Sequence, residues 1–288
     1  MAQAACPASC GEIIQGWILG SEKLVSCPVD WYSSVEVTFG APRADERPQT
    51  RAIVRQLLAH WQLPARLSQN IRIDCRSTIP VAKGMASSTA DIAATAVATA
   101  HHLQLPLDEK TLAQLCVTLE PTDSTLFSQL TLFDHNTGET HIPCGGLPHV
   151  DVLLLESPLT LTTADYHRMA RQQALLENAH ALDKAWQKLQ RACQENDAAL
   201  LGEAATISAI ASQALLPKPE FNTLLGLVER CGLYGLNVAH SGSVVGLLLD
   251  SSRHDVAEIR WCLKEKGLLA HWPKDYLLKM VAGGVRER

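Results

Sequence analysis

Pro80-Val-Ala-Lys-Gly-Met-Ala-Ser-Ser-Thr-Ala90 is the stretch of sequence that decides the fold, because it joins a strand end to a helix start. Pro80 cannot donate to a sheet, Gly84 permits a tight or left-handed turn, and two serines open an Ala-rich helical segment. The first amides of a helix lack partners within it and carry positive potential, so a phosphate group can bind there. The turn is therefore a candidate anion site with small side chains around it.

The same turn has a second interpretation as an ordinary capped helix. Ser88-Thr-Ala-Asp91 has the spacing of a capping box, in which the acid bonds back to the first residue. The sequence contains no Gly-x-x-x-x-Gly-Lys-Ser/Thr loop, no Gly-x-Gly-x-x-Gly fingerprint and no protein-kinase signature set. The turn alone leaves both interpretations open.

The composition is that of an ordinary globular protein. The chain has 288 residues, of which 47% are hydrophobic and 19% charged, with a net charge of −5 and a pI near 6.1. We expect no nucleic-acid or membrane partner, because no basic patch and no apolar run of about 18 residues occurs. The N-terminus lacks a signal-peptide pattern, which predicts a cytoplasmic protein. The nine cysteines form no Cys-x-x-Cys pair and are expected to be reduced and mostly buried.

Hydrophobic periodicity predicts mixed helices and strands in both halves of the chain. In the first half, strands are predicted at 25–28, 34–39, 71–76, 130–134 and 150–156, and helices at 48–61, 87–103 and 108–119. In the second half, helices are predicted at 166–196, 197–215, 220–231 and 255–266, and strands at 235–239, 244–250 and 277–281. From about residue 160, long helical stretches rich in Ala, Gln and Leu replace the alternation of short strands and helices. This change predicts two domains, 1–155 and 156–288.

Three segments, in order along the chain, together resemble the motifs of the GHMP kinases, the superfamily of galactokinase, homoserine kinase, mevalonate kinase and phosphomevalonate kinase. Pro7-Ala-Ser-Cys-Gly-Glu-Ile-Ile-Gln-Gly16 resembles the first motif, which lines the acceptor pocket, and the turn at 80–90 resembles the second. Ala239-His-Ser-Gly-Ser-Val-Val-Gly246 resembles the glycine-rich third motif. The resemblance implies an α+β fold of two domains, an N-terminal ribosomal-protein-S5-domain-2-like α/β domain and a C-terminal ferredoxin-like α+β domain.

The resemblance also implies an ATP-dependent small-molecule kinase that uses Mg²⁺. The first motif, Ser26-Cys-Pro-Val-Asp-Trp-Tyr32 and Glu120-Pro-Thr-Asp-Ser124 are similar to one branch, the L-threonine kinases of cobalamin synthesis associated with propanediol utilisation. That branch implies ATP and L-threonine as substrates, with O-phospho-L-threonine and ADP as products. Homoserine or a similar alcohol is the alternative acceptor, because a methyl and a chain length in the pocket are worth only about 1–3 kcal/mol of discrimination. Whether the protein is a monomer or a homodimer stays open.

Three residues near the turn acquire chemical roles from this resemblance. Ser88 and Glu120 are expected to hold Mg²⁺, which needs few protein ligands besides phosphate oxygens and water. Asp123 is expected to accept the proton of the acceptor hydroxyl as the catalytic base, with metal binding as its alternative role. The plain alternatives are a solvated helix-terminal acid for Glu120 and a turn-forming residue for Asp123.

The remaining site residues are also implied by the resemblance. ATP is expected to bind Pro80, Val81, Ala82, Lys83, Gly84, Met85, Ala86, Ser87, Ser88 and Thr89. Lys83 would neutralise phosphate charge, unless it is simply an exposed lysine. The acceptor is expected to contact Glu12, Asp30, Ser241, Gly242 and Ser243, and two acids there would suit a substrate with an ammonium group. His240 is interpreted as structural.

Two other classes of protein compete with the kinase. A serine hydrolase built on His240 and Ser241 is disfavoured, because adjacent strand residues point to opposite faces and Gly-x-Ser-x-Gly is absent. A non-catalytic relative that binds ligand without chemistry is a fairer competitor. The presence of Ser88, Glu120 and Asp123 argues against it.

Overall fold

The structure is a computed structural model that describes residues 1–161, 166, 168 and 171–287. In this part of the chain the strands are β1 (Ala2–Ile18), β2 (Ser21–Phe39), β3 (Ile71–Arg76), β4 (Thr131–Phe133), β5 (His141–Pro143), β6 (Asp151–Glu156), β7 (Gly235–Val238), β8 (Val245–Leu249), β9 (Lys274–Lys279) and β10 (Arg286–Glu287). The helices are α1 (Pro48–His60), α2 (Ser87–Leu103), α3 (Glu109–Val117), α4 (Gln172–Glu177), α5 (Ala179–Glu195), α6 (Ala198–Ser212), α7 (Phe221–Arg230) and α8 (Val256–Glu265).

The strands of the described residues join into a single antiparallel sheet. Its order is β5-β4-β2-β1-β7-β8-β6-β9, with β3 also paired to β2 and β10 to β1. The sheet runs through both halves of the chain, and the boundary predicted at residue 155 falls inside β6. The two domains at 1–155 and 156–288 stay a prediction.

The hairpin of β1 and β2 is the longest feature of the sheet and bears the first motif. Its register shifts between Ser9 and Glu12 and again between Glu12 and Ile14, which marks a β-bulge. Gly11 takes φ +57° there, and a Cβ on it would lie 2.6 Å from the Val238 carbonyl carbon. A bulge next to a functional site typically redirects a side chain, and here the residue at the bulge is Glu12.

Helices cover the sheet through two apolar clusters. α2 packs on β1 and β2 through buried alanines such as Ala90, Ala93 and Ala94, whose small side chains allow close approach. Leu153 and Leu155 of β6 belong to the second cluster, with residues of α7 and α8. Because Val152 and Leu154 belong to the first, β6 joins both cores.

Most predicted elements coincide with observed ones, including β3 and α2 at their predicted bounds. The N-terminal strand was not predicted, because Pro7, Gly11 and Gly16 interrupt its alternation. Part of the helix predicted at 166–196 lies outside the described residues, and the rest is divided into α4 and α5. All nine cysteines are free thiols, most of them buried, as expected. Among the described helices, none has both the length and the apolar character to cross a membrane.

Candidate active site

The turn at 80–90, the phosphate turn, lines one cavity of about 500 Å³ together with the first motif. The turn contributes residues 81, 82 and 84–89, and the other lining residues are Glu12, Glu120, Pro121, Asp123, Leu161 and Ser241. This volume lies in the range of small-molecule sites. The structure therefore brings Ser88 of the turn together with Glu120 and Asp123, which come from a second segment, at one cavity.

Helix α2 begins at this cavity without a side-chain cap. Ala86 precedes the helix in a left-handed conformation, with φ +55° and ψ +27°, and no side chain accepts from the first amides. Asp91 does not turn back to Ser88; its Oδ1 accepts from Ser33 Oγ at 2.5 Å and its Oδ2 pairs with Arg47. The capping-box interpretation is therefore wrong, and the first turn keeps unsatisfied amides where an anion can bind.

The first motif holds the turn from one side. The amides of Ser9 and Gly11 donate to the carbonyls of Met85 and Gly84 at 3.1 and 3.2 Å. Because both bonds join main chain to main chain, they set the path of the turn independently of its side chains. The bulge in β1 therefore places Glu12 and also holds the turn through the Gly11 amide.

The third motif holds the turn from the other side. The amides of Ser243 and Val244 donate to the Lys83 carbonyl at 3.0 and 3.1 Å. A Cβ on Gly242 would lie 2.3 Å from the Gly84 nitrogen, so only glycine permits this approach. All three motifs consequently meet around one turn.

Glu12 and Asp123 form a carboxyl pair at the cavity wall. Each carboxyl shifts the pKa of the other, and two like charges at one site ionise one at a time. Thr89 Oγ1 donates to Asp123 Oδ2 at 3.1 Å and accepts from the Asp123 amide at 3.2 Å. The Glu12 carboxylate also accepts from the His240 amide.

The two carboxyls differ in how firmly they hold the proton. Burial and the nearby Asp123 charge raise the pKa of Glu12 well above its usual value, against the His240 amide and Lys218. Burial also raises the pKa of Asp123, opposed by the Thr89 hydroxyl and by His240. The groups that oppose the rise at Asp123 favour its ionised form, which makes Asp123 the candidate for accepting a proton.

Ser88 and Glu120 offer the hard oxygen ligands that Mg²⁺ prefers. Both line the cavity beside the start of α2, and Glu120 Oε2 accepts from Gln49 Nε2 at 3.3 Å. A hydroxyl and a carboxylate at one wall fit a cation that keeps its remaining positions for phosphate oxygens and water.

Comparisons with known proteins agree with this arrangement. The model of the GHMP kinases N terminal domain matches residues 50–128, and that of the GHMP kinases C terminal matches residues 189–267. The chain is 67% identical over 285 residues to an L-threonine kinase of Citrobacter freundii, covering 99% of each protein. It is 66% identical over 286 residues to an L-threonine kinase of Salmonella typhimurium, covering 99% of this chain and 95% of that one.

The chain belongs to the GHMP kinase family. A homoserine kinase structure from Cytophaga hutchinsonii matches it with a TM-score of 0.73 at 16% identity, covering 100% of this chain and 97% of that one. That likeness shows the two-domain GHMP kinase fold predicted from the three motifs. The protein is an ATP-dependent small-molecule kinase.

Lys83 does not face the cavity of this GHMP kinase. It is only 8% exposed, and its ammonium donates to the carbonyls of Ser157 and Leu159 at 2.7 and 2.8 Å. The exposed-lysine interpretation is therefore wrong, and the ammonium anchors the turn to the segment after β6. Ser243 Oγ donates to the same Leu159 carbonyl at 2.7 Å, so it supports that segment and does not line the cavity.

Other predicted binding residues also lie outside the cavity lining. Asp30 is exposed, and its carboxylate accepts from the Lys279 amide at 2.8 Å. Glu12 and Asp30, the two acids expected in the acceptor pocket, are therefore not brought together, and the acid beside Glu12 in the cavity lining is Asp123. Pro80 and Gly242 shape the turn from outside the lining, whereas Ser241 belongs to it.

A buried ion-pair network lies behind the third motif and includes His240, which we expected to be structural. His240 Nε2 lies 3.1 Å from Glu22 Oε1, and the Arg171 guanidinium lies 3.1 Å from Glu22 Oε2. Burial alone would raise the pKa of Glu22. The His240 hydrogen bond and the charges of His240, His135 and Arg171 outweigh burial and lower the pKa to about 2.

Sequence reasoning missed Lys218 as a site residue. It is 6% exposed, and its ammonium donates to the Gly242 carbonyl at 2.7 Å. The available signal is Pro217-Lys218-Pro219, where a lone charge follows the apolar end of a helical segment, but sequence alone does not show that this charge turns inward.

Proposed function

We propose that this kinase transfers the γ-phosphate of ATP to the side-chain hydroxyl of L-threonine, giving O-phospho-L-threonine and ADP. The observation that carries the proposal is the cavity in which the uncapped start of α2 and the Glu12–Asp123 pair share a wall. The identity of the acceptor follows from the two L-threonine kinases that match over nearly the whole chain.

The residues of the cavity divide the reaction between them. The first amides of α2 bind phosphate oxygens, and Mg²⁺ held by Ser88 and Glu120 would offset the remaining phosphate charge. Asp123, oriented by Thr89, accepts the hydroxyl proton as the threonine oxygen bonds to the γ-phosphorus. The bond from that phosphorus to the bridging oxygen breaks, and its electron pair leaves with ADP.

The roles of the pair explain why two acids stand together. Glu12 keeps its proton and donates it toward Asp123, so the pair carries one negative charge and Asp123 remains available as a base. The similarity of the first motif to the cobalamin-synthesis branch supports the further proposal that the product enters that synthesis.

Turnover of ATP against a panel of alcohols tests the proposed function. The purified protein with Mg²⁺ is given L-threonine, L-serine, L-homoserine or mevalonate, ADP release is followed, and the product is identified by ³¹P NMR. We expect the largest kcat/KM with L-threonine. A far larger value with homoserine or mevalonate would overturn the acceptor, and nucleotide binding without ADP release would favour a non-catalytic sensor.

A further inference from the structure

Lys218 is a buried cation that the mechanism above does not use. It follows α6, and its backbone amide donates to Gln213 Oε1 at 2.7 Å, which fixes the main chain at this point. Its ammonium reaches the Gly242 carbonyl at 2.7 Å with only 6% of the residue exposed. Gly242 is the residue that packs on Gly84 of the phosphate turn. The lysine therefore supports the turn through one intervening residue.

The charge of Lys218 also acts on the carboxyl pair. Lys218 and the pair are coupled through Glu12: negative charge there raises the pKa of the ammonium against its burial, and the ammonium lowers the pKa of Glu12. The other titratable groups around Glu12 and Asp123 are His240, whose amide bonds Glu12, Glu120, whose charge raises the pKa of Asp123, Tyr166, and the thiols of Cys10 and Cys27. The carboxyl pair carries one negative charge when it shares a proton, and a positive charge nearby favours that state over the doubly protonated one.

We propose that Lys218 is a positioning residue of the phosphoryl transfer, which holds Gly242 against the phosphate turn and keeps positive charge beside the Glu12–Asp123 pair. This inference rests on the threonine kinase function proposed above. Without that charge, the pKa for the second proton of the pair rises. Both carboxyls are then protonated at pH 7, and Asp123 is lost as a base. Lys218 makes no contact with nucleotide or acceptor in this role; it acts through Gly242 and Glu12.

The pH dependence of activity separates this role from a purely structural one. Burial lowers the pKa of Lys218 to about 8, although Glu12 opposes the change. The charge is therefore present at pH 7 and disappears as the pH rises through about 8. A neutral amine still donates to the Gly242 carbonyl, so a hydrogen bond alone predicts no such dependence.

The kinetic test compares wild type with Lys218→Met and Lys218→Arg, using ATP and L-threonine between pH 6 and pH 10. We expect Lys218→Met to lower kcat about ten- to hundredfold at pH 7, with the ATP KM changed less. The ratio of wild-type to Lys218→Met kcat should shrink above about pH 8, where the wild type loses its charge. Lys218→Arg should restore part of the activity. Its kcat ratio to Lys218→Met should not shrink above pH 8, because arginine keeps its charge. Lys264→Met, at an exposed lysine of α8, is the matched control and should behave as wild type.

A second measurement needs no acceptor, so it distinguishes failure of this inference from failure of the proposed function. The ¹⁵N signal of the Lys218 side chain, assigned by its loss in Lys218→Arg, should titrate near pH 8, and the double variant Glu12→Gln/Asp123→Asn, which removes the negative charge of the pair, should lower that midpoint further. Titration in the range of the other lysines, unmoved by the double variant, would overturn the inference. A pH-independent kcat ratio would also overturn it. Coupled titration in a protein that does not phosphorylate threonine would instead reject the proposed function.

Discussion

Glu12 and Asp123 hold one proton between them in the proposed mechanism, and only the ionised member can act as base. Asp123→Asn removes the ionisable member and keeps its shape, so we expect kcat to fall by about 10²–10⁴-fold with little change in nucleotide affinity. Steady-state kinetics with ATP and L-threonine measure both quantities. Asp30→Asn is the matched control, because Asp30 is exposed and bonds the Lys279 amide away from the cavity. An unchanged kcat in Asp123→Asn would remove Asp123 as base.

Ser88 and Glu120 are proposed to act together on one cation. Ser88→Ala and Glu120→Ala each remove one oxygen ligand, so we expect the Mg²⁺ concentration for half-maximal activity to rise about tenfold or more. Titration of activity with Mg²⁺ at saturating ATP measures the change. Ser87→Ala, next to Ser88 on the same helix turn, should leave the Mg²⁺ dependence as in wild type. Wild-type Mg²⁺ dependence in Ser88→Ala would show that another residue holds the ion.

Helices and strands with local signals were predictable, and those that depend on distant contacts were not. α2 lies at its predicted bounds because its Ala-rich sequence suits both helix propensity and close packing. β1 was missed because its bulge is stabilised by bonds to Met85 and Gly84, partners that periodicity cannot identify. Asp91 similarly had the spacing of a cap, but Ser33 and Arg47 from other elements bind it.

The close approach of the third motif to the phosphate turn can be tested at Gly242. Its added Cβ in Gly242→Ala would lie 2.3 Å from the Gly84 nitrogen and the Lys83 carbonyl carbon, so the turn must move. We expect a higher ATP KM and a loss of stability of about 1–3 kcal/mol, from kinetics and urea unfolding. Gly226→Ala in α7 has open space around its Cβ and should retain wild-type kinetics and equal or greater stability. Similar behaviour of the two variants would contradict this packing.

The motif residues of the site were predictable from the sequence, but the contacts between their side chains were not. Ser88, Glu120 and Asp123 carried motif signals, and the fold brings them to one cavity. The position of Asp123 beside Glu12, the position of Asp30 outside the cavity and the inward ammonium of Lys83 depend on how strands from both halves join one sheet. A sequence pattern specifies which residues belong to a motif, but side-chain direction follows from packing between distant elements.

Glu22 links both halves of the molecule, since it lies on β2 and pairs with His240 and Arg171 from the second half. Its pKa in the folded protein, about 2, lies below the ordinary 4.5, so its ionised form stabilises the fold. This contribution, about 3 kcal/mol, is complete above about pH 4.5 and is lost as the pH falls toward 2. We expect Glu22→Gln to be less stable than wild type at pH 7 in urea unfolding, with the difference shrinking below pH 4.5. Glu229→Gln, at an exposed acid of α7, should match wild type throughout. A difference that stays constant down to pH 3 would mean that Glu22 contributes through packing, not through its charge.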